Sequence, residues 1–179
     1  MGVVKSYVPE KLVMGILISD LDMLRGLKLK LKALWGELDS CTEAVEFRYT
    51  DYYNAEMGSP LYRIFCSFTT LVNPENLAKI KLKSNEVENR FIRGSGRVIN
   101  LDPGILSQSK FILATTKNNA HRIPMSLGIY GELTLQYRNG EFRDLEWTYP
   151  DYRGQAARQY LLSVRNTYKE QLKSISHKP

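Results

Sequence analysis

The sequence predicts an α+β fold built on a ferredoxin-like βαββαβ core, with a mainly antiparallel sheet and two helices on one face. Three observations predict it. Short apolar or alternating runs mark strands, two amphipathic stripes mark helices between them, and the order over residues 11–101 reads strand, helix, strand, strand, helix, strand. Two one-sided helices are both buried only if they cover the same face of one sheet. Right-handed crossovers then favour the split βαβ arrangement. A further strand, a β-hairpin and a C-terminal helix extend this core.

The first strand is "KLVMGILIS", an unbroken apolar run bounded by Pro9 and Asp20, as expected of a strand buried on both faces. Asp20 caps a helix whose stripe is Leu24, Leu27, Leu31 and Leu34, and Gly36 stops it. Lys28, Lys30 and Lys32 lie mostly off that stripe and solvate its outer face. "AVEFRYT" alternates, with Val45, Phe47 and Tyr49 on one side, and "YRIFCSF" is the next strand. Asn73 and Pro74 open a second helix with Leu77, Ile80, Val87 and Phe91 inward. Gly94 and Gly96 end it, and "RVINL" returns as a strand. Asp102-Pro103-Gly104 reads as a turn, followed by the strand "SKFILAT". "IYGELTLQYRNGEFRDLEW" is a hairpin about the two-residue turn Asn139-Gly140. That turn pairs Arg138 with Glu141 and Tyr137 with Phe142. It also sets Leu135 opposite Asp144, so the ladder should bulge or end early there. "TYPDYRG" is a loop. A last helix from about Gln155 to Lys173 turns Tyr160, Leu161, Val164, Tyr168 and Leu172 inward.

With 179 residues, 43% hydrophobic and 25% charged, the chain reads as one globular domain over residues 1–179. No 18-residue apolar run is present, so no membrane partner is expected. "LVMGILIS" lacks the cleavage site of a secretory signal. Cys41 and Cys66 read as reduced packing residues, and the expected location is cytoplasmic. The net charge of +6 is spread along the chain. Its local concentrations, "KLKLK" and the tail lysines Lys169, Lys173 and Lys178, lack the interleaved aromatics of a nucleic-acid patch.

"DYYNAEMGSPLYRIFCSF", "KLKSNEVENRF", "INLDPG", "FILATTKNNAHRIP", "GIYGELTL" and "WTYPDYR", in this order, resemble a bacterial family catalogued as domain of unknown function 4416. The resemblance covers essentially the whole chain. It implies a stand-alone cytoplasmic protein and carries over no catalytic residues, so a site must be argued from the side chains themselves.

No phosphate-binding loop and no strand-anchored G-x-G-x-x-G is present, and "GSGR" at Gly94 to Arg97 is a helix exit. Cys41 and Cys66 stand 25 residues apart, and His121 and His177 have no partner at ligand spacing, so no metal site is expected. The sequence names no cofactor. The densest polar cluster is "ATTKNNAHRI". His121 is its general acid or base, Lys117 and Arg122 are its anion-binding cations, Thr115 and Thr116 are hydroxyl donors, and Asp102 is the carboxylate orienting the imidazole. The alternative is that His121 and Arg122 simply start the next strand while Lys117 is solvated. Two Tyr-Asp-Tyr loops, Tyr49-Asp51-Tyr52-Tyr53 and Tyr149-Asp151-Tyr152, suit a binding rim; the alternative is that each aspartate closes a turn while its tyrosines cover the core edge. Glu46 and Glu132 fall mid-strand and, with Arg48, Arg63, Tyr130 and Thr134, mark a polar sheet face left open by the first two helices.

The function expected from these residues is binding, with hydrolysis or transfer as an extension, of an anionic small molecule such as a nucleotide or phosphate ester. The pocket is expected around Lys117, His121 and Arg122. The alternatives are an RNA-binding module, with the nucleic acid on the open sheet face, and a non-catalytic protein-interaction subunit.

Overall fold

The structure is a computed structural model that describes residues 2–94 and 96–176. Ser95, His177 and Lys178, named above, lie outside the described residues. In chain order, β1 spans Glu10–Ile18, α1 Leu24–Trp35, β2 Leu38–Cys41, β3 Val45–Glu46, α2 Asn54–Met57 and β4 Tyr62–Val72. Then come α3 (Leu77–Glu88), β5 (Ile92–Arg93), β6 (Gly96–Arg97), β7 (Ile99–Leu106) and β8 (Lys110–Thr115). The chain closes with β9 (Arg122–Pro124), β10 (Tyr130–Arg138), β11 (Glu141–Asp144), α4 (Pro150–Arg153) and α5 (Gln155–Ser176).

The fold is mixed α and β. Its main sheet has nine strands in the order β11-β10-β8-β7-β1-β4-β2, with β3 on β4 and β9 on β10, while β5 and β6 form a separate pair. The main-sheet pairings are antiparallel. β1 is buried on both faces because its side chains alternate between two cores. Leu12, Met14, Ile16 and Ile18 meet Leu27 and Leu31 of α1 and Ile80 and Val87 of α3. Val13, on the opposite face, joins Phe65, Phe111, Leu135, and Leu161, Val164 and Tyr168 of α5. Local signals act as expected at several ends. The Asp20 side chain accepts from the Asp22 N–H and that of Asn73 from the Glu75 N–H. Asn139 and Gly140 both take positive φ (52° and 90°), as a two-residue hairpin turn requires. The β10–β11 ladder pairs Arg138 with Glu141 and ends at Leu135 and Asp144.

Five expectations need correction. Asp102-Pro103-Gly104 is not a turn but the middle of β7. Both backbone groups of Leu101 face away from β1, toward α3, so two residues on, the missing N–H of Pro103 costs no β1–β7 hydrogen bond. Gly104 lets Phe111 close in, since a Cβ there would lie 2.5 Å from the Phe111 ring. The turn comes later, where Ser107 N–H bonds to Lys110 C=O at 2.9 Å. "AVEFRYT" contributes only the two-residue β3, and the edge strand is instead "LDSC", β2, too short and polar to stand out by periodicity. "TYPDYRG" contains the single helical turn α4, with Pro150 at its start.

Fourth, Cys41 and Cys66 are not free thiols. They are direct cross-strand neighbours of β2 and β4 and form a disulfide. Linking positions 25 residues apart stabilises by about 3 kcal/mol through the unfolded chain. The disulfide also removes the reduced-thiol premise behind a cytoplasmic location. Among the described residues no helix is long and apolar enough to cross a membrane. Fifth, the sheet face expected to be open is covered by α5 over much of its area. What remains of it forms the wall of a cavity.

Candidate functional site

The cavity arises where the sheet comes apart. β8 pairs with β10 along its whole length, Lys110 to Thr115, but with β7 only over Gly104–Leu106. Beyond that point the outer edge of β7 lacks a strand partner, and α3 supplies side chains in its place. Glu88 Oε1 accepts from the Leu101 N–H at 2.8 Å, and Lys81 Nζ donates to the Leu101 C=O at 2.7 Å. Both side chains are buried, and Arg97 also donates to Glu88 at 2.5 Å. The hollow between the separated strands has a volume of about 750 Å³. Its walls come from β7, β8, β10 and α3, and the segments bearing the two tyrosine clusters close it.

Arg63, on β4 and 8% exposed, is the hub of the interior. Nη1 donates to Asp102 Oδ2 at 3.1 Å, and Nη2 lies 2.7 Å from Asp151 Oδ2. The rings of Phe47, Phe65 and Tyr152 lie 5.5–5.7 Å from its guanidinium carbon. Burial alone would lower the Arg63 pKa, but Asp151, Tyr152 and Asp102 outweigh it and raise it. The two carboxyls sharing this guanidinium are driven apart. Burial pushes Asp151 up, only partly offset by Arg63, with Asp102 adding to the rise. Burial also opposes ionisation of Asp102, but Arg63 and Lys81, with hydrogen bonds from Arg63 and Asn100, hold it below its ordinary value. Burial pushes Tyr152 well up, and Tyr53 up to about 12. Gly15 of β1 lies beneath this cluster, and a Cβ there would collide with the Tyr152 hydroxyl.

Glu132, on β10 and 1% exposed, joins Glu88 and Asp151 as a buried carboxylate of the cavity wall. Arg122 sits directly across the β9–β10 pair from it. One Glu132 oxygen, Oε2, accepts from Arg122 Nε at 2.8 Å and lies 3.1 Å from His121 Nε2. The His121 ring stacks on Trp147, with centroids 5.1 Å apart and planes 11° from parallel. Arg122 also donates to Lys117 C=O at 3.0 Å and to the Tyr149 hydroxyl at 2.5 Å, so its donors are largely committed. The carboxylate partner of His121 is therefore Glu132, and Asp102 is engaged by Arg63 and Asn100 instead.

Eight expected site residues line the cavity: Asp102, Thr115, Thr116, Lys117, Tyr52, Tyr149, Asp151 and Tyr152. His121 and Arg122 stand behind its wall and hold Glu132 in place. Lys117 is at the mouth, its ammonium 3.0 Å from the Tyr52 hydroxyl and 4.5 Å from the centre of that ring. The other cations of the lining face carboxylates: Arg63 has Asp102 and Asp151, Lys81 has Glu88, and Arg97 has Glu88 and Glu56.

A model of one protein family, described as "Domain of unknown function (DUF4416)", matches residues 8–168. The chain belongs to the DUF4416 family. No curated protein and no solved structure matches it. The matched span takes in every residue that lines the cavity, from Phe47 to Tyr152. Sequence reasoning missed Lys81 and Glu88 as parts of this wall. Their signal was present: Leu77, Lys81, Ser84 and Glu88 recur at helical spacing and all four are buried. Among the described residues no group of histidines, cysteines and carboxylates is arranged to hold a metal ion.

Proposed function

We propose that the chain binds an anionic small molecule, a nucleotide or a phosphate ester, in this cavity. The anion sits at the mouth and the uncharged part reaches inward. The observation that carries this reading is the placement of charge. Lys117 is the one lining cation, among the described residues, that faces no carboxylate, and Thr115 and Thr116 stand beside it. Deeper in, Asp102, Asp151 and Glu132 repel an anion. Tyr52 and Tyr149 offer aromatic surface to a base or a sugar. Proton transfer to or from a bound ligand falls to Glu132 or Asp151 in this reading, since His121 is behind the wall.

We also read the β7-β1-β4-β2 core with α1 and α3 as ferredoxin-like. Its antiparallel order and its two split crossovers support this: β4 lies between β1 and β2, and β1 between β4 and β7. The RNA-binding alternative has less support, because α5 occupies much of the sheet face that would stack bases.

A thermal-shift series with nucleoside monophosphates, sugar phosphates and inorganic phosphate tests the proposal. A ligand at 100 times its Kd adds about 2.7 kcal/mol, which raises Tm by roughly 5–10 °C in a chain of this size. Lys117→Ala, at an exposed position, should melt like the wild type alone and lose most of the shift. Absence of a shift with every phosphate ester contradicts the proposal.

A further inference from the structure

One face of α3 is turned to the hollow. Lys81, Asn85, Glu88 and Asn89, the last at the helix C-cap, recur at i, i+4, i+7 and i+8, and all four line it. The two charged members are committed to the Leu101 backbone on the free edge of β7. The two carboxamides are not. No hydrogen bond ties either side chain to another described residue. Asn85 is half-buried and Asn89 exposed, so both are within reach of a ligand. Successive turns of one helix set them side by side. A carboxamide presents an acceptor and a donor next to each other. The edge of a nucleobase presents the same pair reversed, which is how asparagine reads adenine through two hydrogen bonds.

A second part of the lining is aromatic. Phe47, Tyr49, Tyr52 and Tyr53 form a chain of ring contacts with centroids 5.0–6.3 Å apart. This segment touches the cation at the mouth and connects to α3. Lys117 Nζ lies 3.0 Å from the Tyr52 hydroxyl. Glu56 of α2 pairs with Arg97, which donates to Glu88 beside the two asparagines. A ligand held at Lys117 therefore runs along aromatic surface toward Asn85 and Asn89. The volume of about 750 Å³ leaves room for a flat ring beyond the phosphate, since sites for drug-sized ligands span roughly 300–1,000 Å³.

We infer that Asn85 and Asn89 read the edge of a nucleobase, so that the ligand of this cavity is a nucleotide. The base stacks on the tyrosine segment and the phosphate meets Lys117. This rests on the phosphate-ester reading above and narrows it to one class.

Calorimetric titration with ribose 5-phosphate and with the adenosine, guanosine, cytidine and uridine 5′-monophosphates separates the two. Ribose 5-phosphate carries the same sugar and phosphate without a base. At least one monophosphate should bind at least tenfold tighter than ribose 5-phosphate. The double variant Asn85→Ala, Asn89→Ala should lose most of that preference while binding ribose 5-phosphate as the wild type does. It should melt at or above the wild-type temperature, because the amides it removes have no partner among the described residues and alanine favours the helix. Four monophosphates no tighter than ribose 5-phosphate overturn the base inference and leave the phosphate-ester reading standing. Binding of none of the five overturns both. An undiminished preference in the double variant, or a Tm lowered by several degrees, overturns the role of the asparagine pair.

Discussion

Arg63→Met should destabilise the protein by about 3–5 kcal/mol, the cost of removing one partner from a buried ion pair. The substitution keeps an unbranched apolar stem but leaves Asp102 and Asp151, which share the guanidinium, without their cation. Denaturant unfolding at neutral pH measures the loss, and adding Asp151→Asn to Arg63→Met should recover part of it by removing one uncompensated charge. The effect should depend on pH. Asp102 is held below its ordinary value of 3.8. Its ionised form therefore contributes stability that is full above that value and is lost as pH falls through the lower folded-state pKa. The gap between wild type and Arg63→Met should narrow over that acid range. A gap below about 1 kcal/mol at neutral pH would mean that Arg63 is not the hub described here.

Glu132→Ala should cost a similar amount, about 3–5 kcal/mol, for the converse reason. It strands Arg122, whose side chain is 7% exposed, and removes the partner of His121. Glu132→Gln keeps the shape and one acceptor, so its cost should fall nearer 2 kcal/mol. A double-mutant cycle with Arg122→Met should give a coupling above about 1 kcal/mol, since the two side chains are in direct contact. Additive losses would place Arg122 outside the Glu132 clamp.

The two outcomes together explain what the sequence shows and what it hides. Strands and helices with a strong period are legible. β1 is a nine-residue run between Pro9 and Asp20, and α1 and α3 carry regular stripes, with Asp20 and Asn73 capping the short 3-10 turns that lead into them. Asp102-Pro103-Gly104 misleads because its turn signal is local, whereas the separation of β7 from β8 that tolerates a proline there is a tertiary fact. The polar cluster at 114–123 does mark a cavity wall, yet its members divide by strand register. Arg122 falls opposite Glu132 on β10 and is drawn into the sheet, while Lys117, two residues past the end of β8, stays at the mouth. The residues that define the interior, Arg63, Lys81, Glu88 and Glu132, are scattered over 70 positions and meet only because α3 stands in for a missing strand. Single-sequence periodicity sees each as an exception on a buried face and has no means of joining them.

We propose the unzipped seam between β7 and β8 as a phosphate-ester site. Amide chemical-shift mapping during a ribose 5-phosphate titration locates the ligand directly. Saturable shifts are expected at Thr115, Thr116 and Lys117, at Glu132, and at Asp151 and Tyr152. Shifts gathered instead on α5 or on the exposed segment from Ile123 to Leu127, or no saturable shift at all, would contradict it.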